Sequence, residues 1–389
     1  MLKILEPSQC CGCSACVNIC SKHAIEMKPN ALGFLYPFVD ESKCVKCGLC
    51  EKVCSFNDNY DKSENLEKSV AYGVRHKNMS ELETSRSGAA FIAVSDAILE
   101  QGGVVYGAGY TDHFRVVHKR AETKENRDEF KGSKYVQSEL GSIFTDVKND
   151  LQNGRFVLFS GTACQVAGLK SYLKLTAKKH LDNLFTIDIV CHGVPSPYIW
   201  RDYINYLEQK HNKVITRVNF RDKIKYGWKA HVESYSFGNE VSYEDDYTYL
   251  FSQHIMLRTS CGICHFTNLN RPGDITIGDF WGWEKVDSSF NEDNKGVSLV
   301  LCNSDKGKNL FDKIKASVIY KKAELEKCVQ LNLQKPTPLN RKTNDFEKDY
   351  SKHGFGYVLK KYGKNGWRNR IRRLYLVRII VKIKNKVLH

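Results

Sequence analysis

Cysteine spacing constrains this chain more than any other feature. Cys10, Cys13, Cys16 and Cys20, and then Cys44, Cys47, Cys50 and Cys54, repeat the spacing C-x2-C-x2-C-x3-C. Gaps of two residues let three thiolates wrap one 4Fe-4S cubane from a single compact turn, while the fourth reaches a neighbouring cubane. The pattern therefore predicts a crossing: Cys10, Cys13, Cys16 and Cys54 hold one cluster, and Cys44, Cys47, Cys50 and Cys20 the other. Paired zinc sites use four ligands in two C-x2-C pairs, and a disulfide framework needs an oxidising compartment. Met1 to Gln9 are too few and too polar for an export signal, so fifteen cysteines point to a reducing cytoplasm.

Between the runs lie Ala24-Ile25-Glu26-Met27 and Gly33-Phe34-Leu35-Tyr36-Pro37-Phe38-Val39, an apolar hairpin able to keep water off such clusters. Residues 1–60 resemble a two-cluster ferredoxin module. The proline that usually follows the fourth cysteine is replaced by Ser21 and Ser55, which bears on potential rather than on ligation. Cys11 is a ninth cysteine with no assigned ligand role and reads as a bystander thiol.

Beyond the module, Asn57 to Asn65 is polar and reads as a linker. After it, strand-like and helix-like segments alternate: Val70–Val74, a helix over Ala89–Leu99, Val104–Tyr106, a helix over Gly141–Leu151, Phe156–Phe159 and Phe185–Val190. This alternation predicts an α/β core on a mixed or mainly parallel sheet, spanning 66–345 and preceded by the small ferredoxin-like module. With 389 residues and 42% hydrophobic content the chain can bury a substantial interior. No apolar run reaches the length of a membrane span.

The formal charge is +15, which three cysteine-bound clusters, each bringing about two negative charges, would lower to roughly +9. Part of the excess sits in a basic tail over 346–389, whose apolar positions past Trp367 spread around the helical wheel. Three readings of that tail remain: docked on its own domain, held at an anionic membrane surface, or bound to an acidic partner. A nucleic-acid role would rest on charge alone, with no recognition motif to support it.

The core has its own chemistry-bearing residues. Ser85-Arg86-Ser87-Gly88 precedes a helix, where small residues let amides approach an anion and Arg86 adds a charge; an ordinary Ser-capped helix reads equally from the same residues. Cys164 follows the strand at Phe156–Phe159 and Cys191 the strand at Phe185–Val190, at the strand ends where open α/β sheets keep ligands. With Cys261 and Cys264 they make four sulfurs, for which a third 4Fe-4S cluster is the economical reading.

Gly161-Thr162-Ala163-Cys164-Gln165, Cys191-His192-Gly193-Val194-Pro195-Ser196 and Gly273-Asp274-Ile275-Thr276-Ile277-Gly278-Asp279-Phe280-Trp281-Gly282, behind a ferredoxin module, resemble the coenzyme F420 hydrogenase/dehydrogenase beta-subunit family. The resemblance runs to about residue 345. Ala163 stands where the family usually has proline, and Ala89 where it usually has glycine. The resemblance implies a core that binds FAD and a 4Fe-4S cluster and moves electrons between clusters, flavin and an organic acceptor. It implies Cys164, Cys191, Cys261 and Cys264 as third-cluster ligands, Ser85, Arg86, Ser87 and Gly88 at a flavin phosphate, and Lys134, Tyr135 and Ser138 in the flavin pocket. Many similar bacterial chains accompany surface-polysaccharide biosynthesis.

Chemistry at a flavin needs electron or hydride delivery and often a proton donor. His192 could donate that proton or tune a cluster through a hydrogen bond, and Asp279 could contact flavin or substrate. Arg221-Asp222-Lys223 with Gly227-Trp228-Lys229 suits an anionic substrate, or forms a solvated loop. Two functions follow: a cytoplasmic FAD-dependent iron-sulfur reductase acting on a small molecule, supplied by a ferredoxin-like donor; or a non-catalytic electron-transfer subunit of a larger redox complex.

Overall fold

Short, largely apolar strands set the centre of the molecule. The computed structural model describes residues 6–57, 63 and 65–366; most of the Asn57–Asn65 linker and residues 367–389 of the basic tail lie outside the described residues. In chain order the strands are β1 (Ile25–Pro29), β2 (Leu35–Val39), β3 (Val70–His76), β4 (Val104–Tyr110), β5 (Val116–Ala121), β6 (Val157–Thr162), β7 (Leu184–Ile189), β8 (Arg217–Asn219), β9 (Glu233–Phe237), β10 (Glu240–Glu244), β11 (Ile275–Asp279), β12 (Ser298–Cys302) and β13 (Val318–Ala323).

Eight of them form one mixed sheet in the order β13-β3-β12-β11-β7-β6-β4-β5. Its centre is parallel: Val104 pairs with Val157, Val157 with Leu184, and Ile275 with Ile187. Both flanks are antiparallel, through β5 on one side and β12, β3 and β13 on the other. Central strands covered on both faces carry continuous apolar runs, as at Val157-Leu158-Phe159 and Leu299-Val300-Leu301-Cys302, all buried. β6 turns directly into the helix Ala163–Thr176, where Thr162 and Gln165 form a reciprocal capping box. The mixed α/β fold expected from the alternating pattern is the one observed.

The ferredoxin segment is packed into this body. Cys11, Cys13, Ala15, Val53 and Phe56 share one apolar cluster with Val166, Ala167 and Leu169 of the helix after β6. At Gly168 a Cβ would come within 2.8 Å of the Cys13 sulfur, so that helix approaches the module closely only because the residue is glycine. Leu32 and Phe34 join a second cluster, rich in aromatics, with Trp200, Tyr203, Tyr235 and Tyr247.

The boundary expected at residue 345 needs correction. Residues 346–366 fall within the expected basic tail, yet the helix Thr343–Tyr362 buries Phe346, Tyr350, Phe355, Val358 and Tyr362 in the aromatic cluster. Its lysines mask this apolar stripe in the sequence. The described body therefore continues to residue 366. Among the described residues no helix is long and apolar enough to cross a membrane.

Candidate cysteine and cation sites at the sheet edge

The parallel strands end on one edge, where the backbone turns away and side chains from separate segments meet. Cys164 lies two residues past β6 and Cys191 two past β7. Cys261 and Cys264 arrive on the 3-10 turn Thr259–Ile263 and its C-cap. These four sulfurs, with Cys11, His192 and Arg258, line one cavity. The Gly193 amide donates to the Cys191 sulfur and the Val194 amide to the Cys261 sulfur, each at 3.4 Å, and the Thr162 hydroxyl stands 3.1 Å from the Cys164 sulfur.

Among the described residues no three His, Cys, Asp or Glu side chains close on a single metal ion. The core sulfurs surround a chamber rather than a point, as ligands of a multinuclear cluster do. Burial pushes the Cys191 thiol up to about 11 and Cys264 up to about 12. Beneath them Arg271 and Asp188, both fully buried, pair at 2.7 Å, and Asp188 also accepts from the Gly273 amide at 2.8 Å.

A second cavity is lined by Cys10, Cys13, Cys16 and Cys54, with Cys11, Met27, Pro37 and Phe56. This grouping has the membership of one half of the expected crossing. In the other half, Cys20 accepts from the Ala24 amide at 3.4 Å, and Cys44, Cys47 and Cys50 surround the helix Leu49–Lys52, which packs on the helix Ala15–Asn18. Cys47 is the exposed member of this second set.

Cys11 is buried and lines both cavities. Interaction with the neighbouring Cys13 and Cys164 thiols pushes Cys11 well above its ordinary value, lowers Cys13, and brings Cys164 down to about 7. Gln137 donates to the Cys11 carbonyl at 2.9 Å.

A third group sits at the same edge, beyond β11. Asp279 accepts from Arg221 at 2.5 Å and from the Trp228 indole at 3.0 Å, with Arg86 at 3.6 Å. Burial pushes this carboxyl up, but Arg86 and Arg221 more than offset it and leave it below its ordinary value. With both oxygens engaged, the Asp279 expected to be catalytic acts here as the counter-ion of a cation network. Lys223 completes that network, donating to the Ser87 and Lys295 carbonyls at 2.8 and 2.7 Å. Burial lowers Lys223 to about 7 and Arg86 to about 10. The solvated-loop reading of Arg221–Lys223 therefore fails.

The Ser85–Gly88 turn departs from its expected form. Gly88 and Ala90 amides, which a phosphate would use, instead donate to the Ser298 hydroxyl at 2.9 and 3.4 Å, and Ser87 donates to the Val297 carbonyl. Gly88 is needed for packing, since a Cβ there would fall 1.9 Å from the Val74 carbonyl oxygen. What remains are the buried Ser85 hydroxyl, without a hydrogen-bond partner, and Arg86 Nε, which has only its ion pair with Asp279 at 3.6 Å.

The other expected flavin residues divide. Tyr135 stacks on Phe251 at 5.0 Å and lies within electrostatic reach of Arg86. Lys134 sits instead over the Tyr110 ring, its ammonium lowered by burial to about 7. Ser138 belongs to a buried relay in which its hydroxyl meets His118 Nδ1 at 2.9 Å and accepts from Gln165 at 3.0 Å, bracing the turn that carries Cys164. His192 has both ring nitrogens engaged, by His254 at 2.8 Å and Asn332 at 3.3 Å, and burial lowers its proton affinity. Sequence reading missed Arg258, which carries no motif of its own; Gln137, in the Lys134–Ser138 stretch, donates to the Cys11 carbonyl and accepts from Arg258.

Cysteine-lined cavities at the edge of a mixed α/β sheet fit an iron-sulfur protein. Residues 9–57 match the 4Fe-4S dicluster domain, and residues 154–327 match the family model for the C terminus of the beta subunit of coenzyme F420 hydrogenase/dehydrogenase. The chain thus joins a dicluster domain to a C-terminal domain of this beta-subunit type, as its motifs indicated. No curated protein matches it. A solved chain in a xenon-derivatised F420-reducing nickel–iron hydrogenase complex from Methanosarcina barkeri is similar at 17% identity and a TM-score of 0.45, over 78% of this chain and 96% of that one.

Proposed function

We propose that this protein is a three-cluster electron-transfer subunit of the cytoplasm that works with a redox partner. The observation that carries the reading is that two sulfur-lined cavities share a wall, through Cys11 and Phe56. Cys10, Cys13, Cys16 and Cys54 would hold one 4Fe-4S cluster, Cys20, Cys44, Cys47 and Cys50 a second, and Cys164, Cys191, Cys261 and Cys264 a third. The donor sets fit: five thiols about each cavity, with Cys11 common to both, amides aimed at sulfur in the core site, and Met27, Pro37 and Phe56 excluding water from the other. When bound, such clusters supply one-electron transfer, and a flavin supplies the exchange of single electrons for hydride. The half-exposed Cys44–Cys50 edge is where a ferredoxin-like donor would approach.

A second reading, an FAD-dependent reductase of a small organic substrate, is favoured by the cation network. Arg86 and Arg221 face the one Asp279 carboxylate with Lys223 beside Arg86, and the orphaned Ser85 hydroxyl suits a phosphate or carboxylate. Side chains, not helix amides, would hold that anion.

Anaerobic purification followed by iron, sulfide and flavin quantitation tests both. About twelve irons per chain with no flavin support the first reading. One FAD in addition, reoxidised by an organic acceptor without any partner, supports the reductase. About eight irons would remove the core cluster and both readings with it.

A further inference from the structure

Between the two sulfur-lined cavities lies a guanidinium, that of Arg258, a residue fully buried at 0% exposure. Its nitrogens donate to the Cys10 carbonyl at 2.8 Å, the Leu35 carbonyl at 3.0 Å and the Gln137 side-chain oxygen at 3.0 Å. The Tyr36 ring covers one face, 4.1 Å from its carbon. Among the described residues no carboxylate pairs with it; all three acceptors are neutral. The other large buried arginines differ: Arg271 has Asp188 and Arg127 has Asp96.

An unpaired cation in such a place costs several kcal/mol unless an opposite charge is near. Arg258 lines the cavity of Cys164, Cys191, Cys261 and Cys264, and through the Cys10 carbonyl it holds the turn that lines the other. Its backbone is equally central: the Arg258 amide donates to the Val194 carbonyl and its own carbonyl accepts from the Cys261 amide, each at 3.0 Å. The Cys10–Cys13 turn is shaped to admit it, because a Cβ on Gly12 would lie 2.9 Å from the guanidinium.

We infer that Arg258 is a shared positioning residue, the buried counter-charge of the first ferredoxin-type cluster and the core cluster, that raises the reduction potentials of these two together and leaves the third out of its field. The inference rests on the three-cluster reading. A fixed positive charge in a poorly screened interior favours the more negative, reduced state of each anionic neighbour. None of Cys20, Cys44, Cys47 and Cys50 lines either of the two cavities.

The test is an EPR-monitored redox titration of anaerobically prepared full chain, wild type against Arg258→Gln and Arg258→Lys. In Arg258→Gln, two of three one-electron transitions are expected to move negative by a tenfold or larger change in equilibrium constant, 59 mV for one electron. Arg258→Lys should restore both, since it keeps the charge while losing the fork of hydrogen bonds. A Gln variant with twelve irons and unmoved potentials overturns the inference alone, as does a shift of all three transitions, or a Lys variant that behaves like Gln. Eight irons in the wild type would remove the core cluster, and with it both this inference and the function on which it rests. If Arg258→Gln does not retain iron, the comparison of Arg258→Lys with wild type decides: unchanged potentials support the charge, and displaced ones refute it.

Discussion

The ferredoxin segment and the sheet edge each assemble four-cysteine sites, by opposite routes. In the segment the cysteines of each run sit within a few residues of one another, around the single-turn helices Ala15–Asn18 and Leu49–Lys52, too short to be stable alone. At the edge, Cys164, Cys191, Cys261 and Cys264 span a hundred residues and are brought together by β6, β7 and the turn at Thr259–Ile263. A site encoded by spacing leans on its neighbours for rigidity; one encoded by topology is as rigid as the sheet beneath it.

Ligand replacement should break the comparison most severely. Cys164→Ser is expected to lower iron from about twelve to about eight per chain, with the two ferredoxin-type clusters intact by EPR. Cys54→Ser and Cys20→Ser should then differ: the first removes the cluster beside the core cavity and its magnetic coupling to the core cluster, and the second spares that coupling. Equal effects would end the crossing.

Support of the topological site comes next. Asp188→Ala strands the buried Arg271 and should cost about 3–5 kcal/mol in denaturant unfolding. Loss of core iron should accompany it before loss of ferredoxin-type iron. A change under about 1 kcal/mol would show that the sheet edge does not depend on this pair.

A pH arm separates body from module. Burial raises Glu233, between Tyr235 and Thr248, to about 7 from an ordinary 4.5. A carboxyl raised on folding stabilises fully below its unfolded value, and that contribution is lost as pH climbs through the folded one. Stability should therefore fall by about 3 kcal/mol between about pH 4.5 and 7. Glu233→Gln should flatten that slope in thermal scans, whereas an unchanged slope would assign it elsewhere.

The smallest effect expected is at Gly12, whose φ is +73°. Gly12→Ala should cost about 1–2 kcal/mol from the left-handed backbone alone, and its push on the guanidinium of Arg258 should broaden the signals of the two adjacent clusters but not the third. Three equally broadened signals would mean a general loosening of the module.

Legibility in the sequence follows the same division. The first two cluster sites can be read from spacing because their ligands are local, and the central strands from apolar runs because both faces are covered. Cys164 and Cys191 are legible as strand-end residues. Arg258 and the roles of Gln137 and Cys11 are not, since each acts through contacts with residues far along the chain, and one arginine in a loop carries no periodicity. The Ser85–Gly88 turn is misjudged in form because Ser298, more than two hundred residues away, takes the amides. The lysines of the helix Thr343–Tyr362 hide an apolar stripe for a related reason: charge is visible in sequence, and docking is not.

The way the hairpin is anchored has a further consequence. The Leu32 carbonyl accepts from the Ser196 hydroxyl at 2.5 Å and from the Tyr198 amide at 3.3 Å, and Gly33 has no room for a Cβ beside the Tyr198 ring. With the Cys13 contact at Gly168, this leaves the small module no hinge about which to swing. A carrier that must shuttle between donor and acceptor slows in viscous solvent and changes pace with salt; this one is soldered in place like a fixed wire, so the internal hop should ignore both, and only the encounter at the Cys44–Cys50 end should respond.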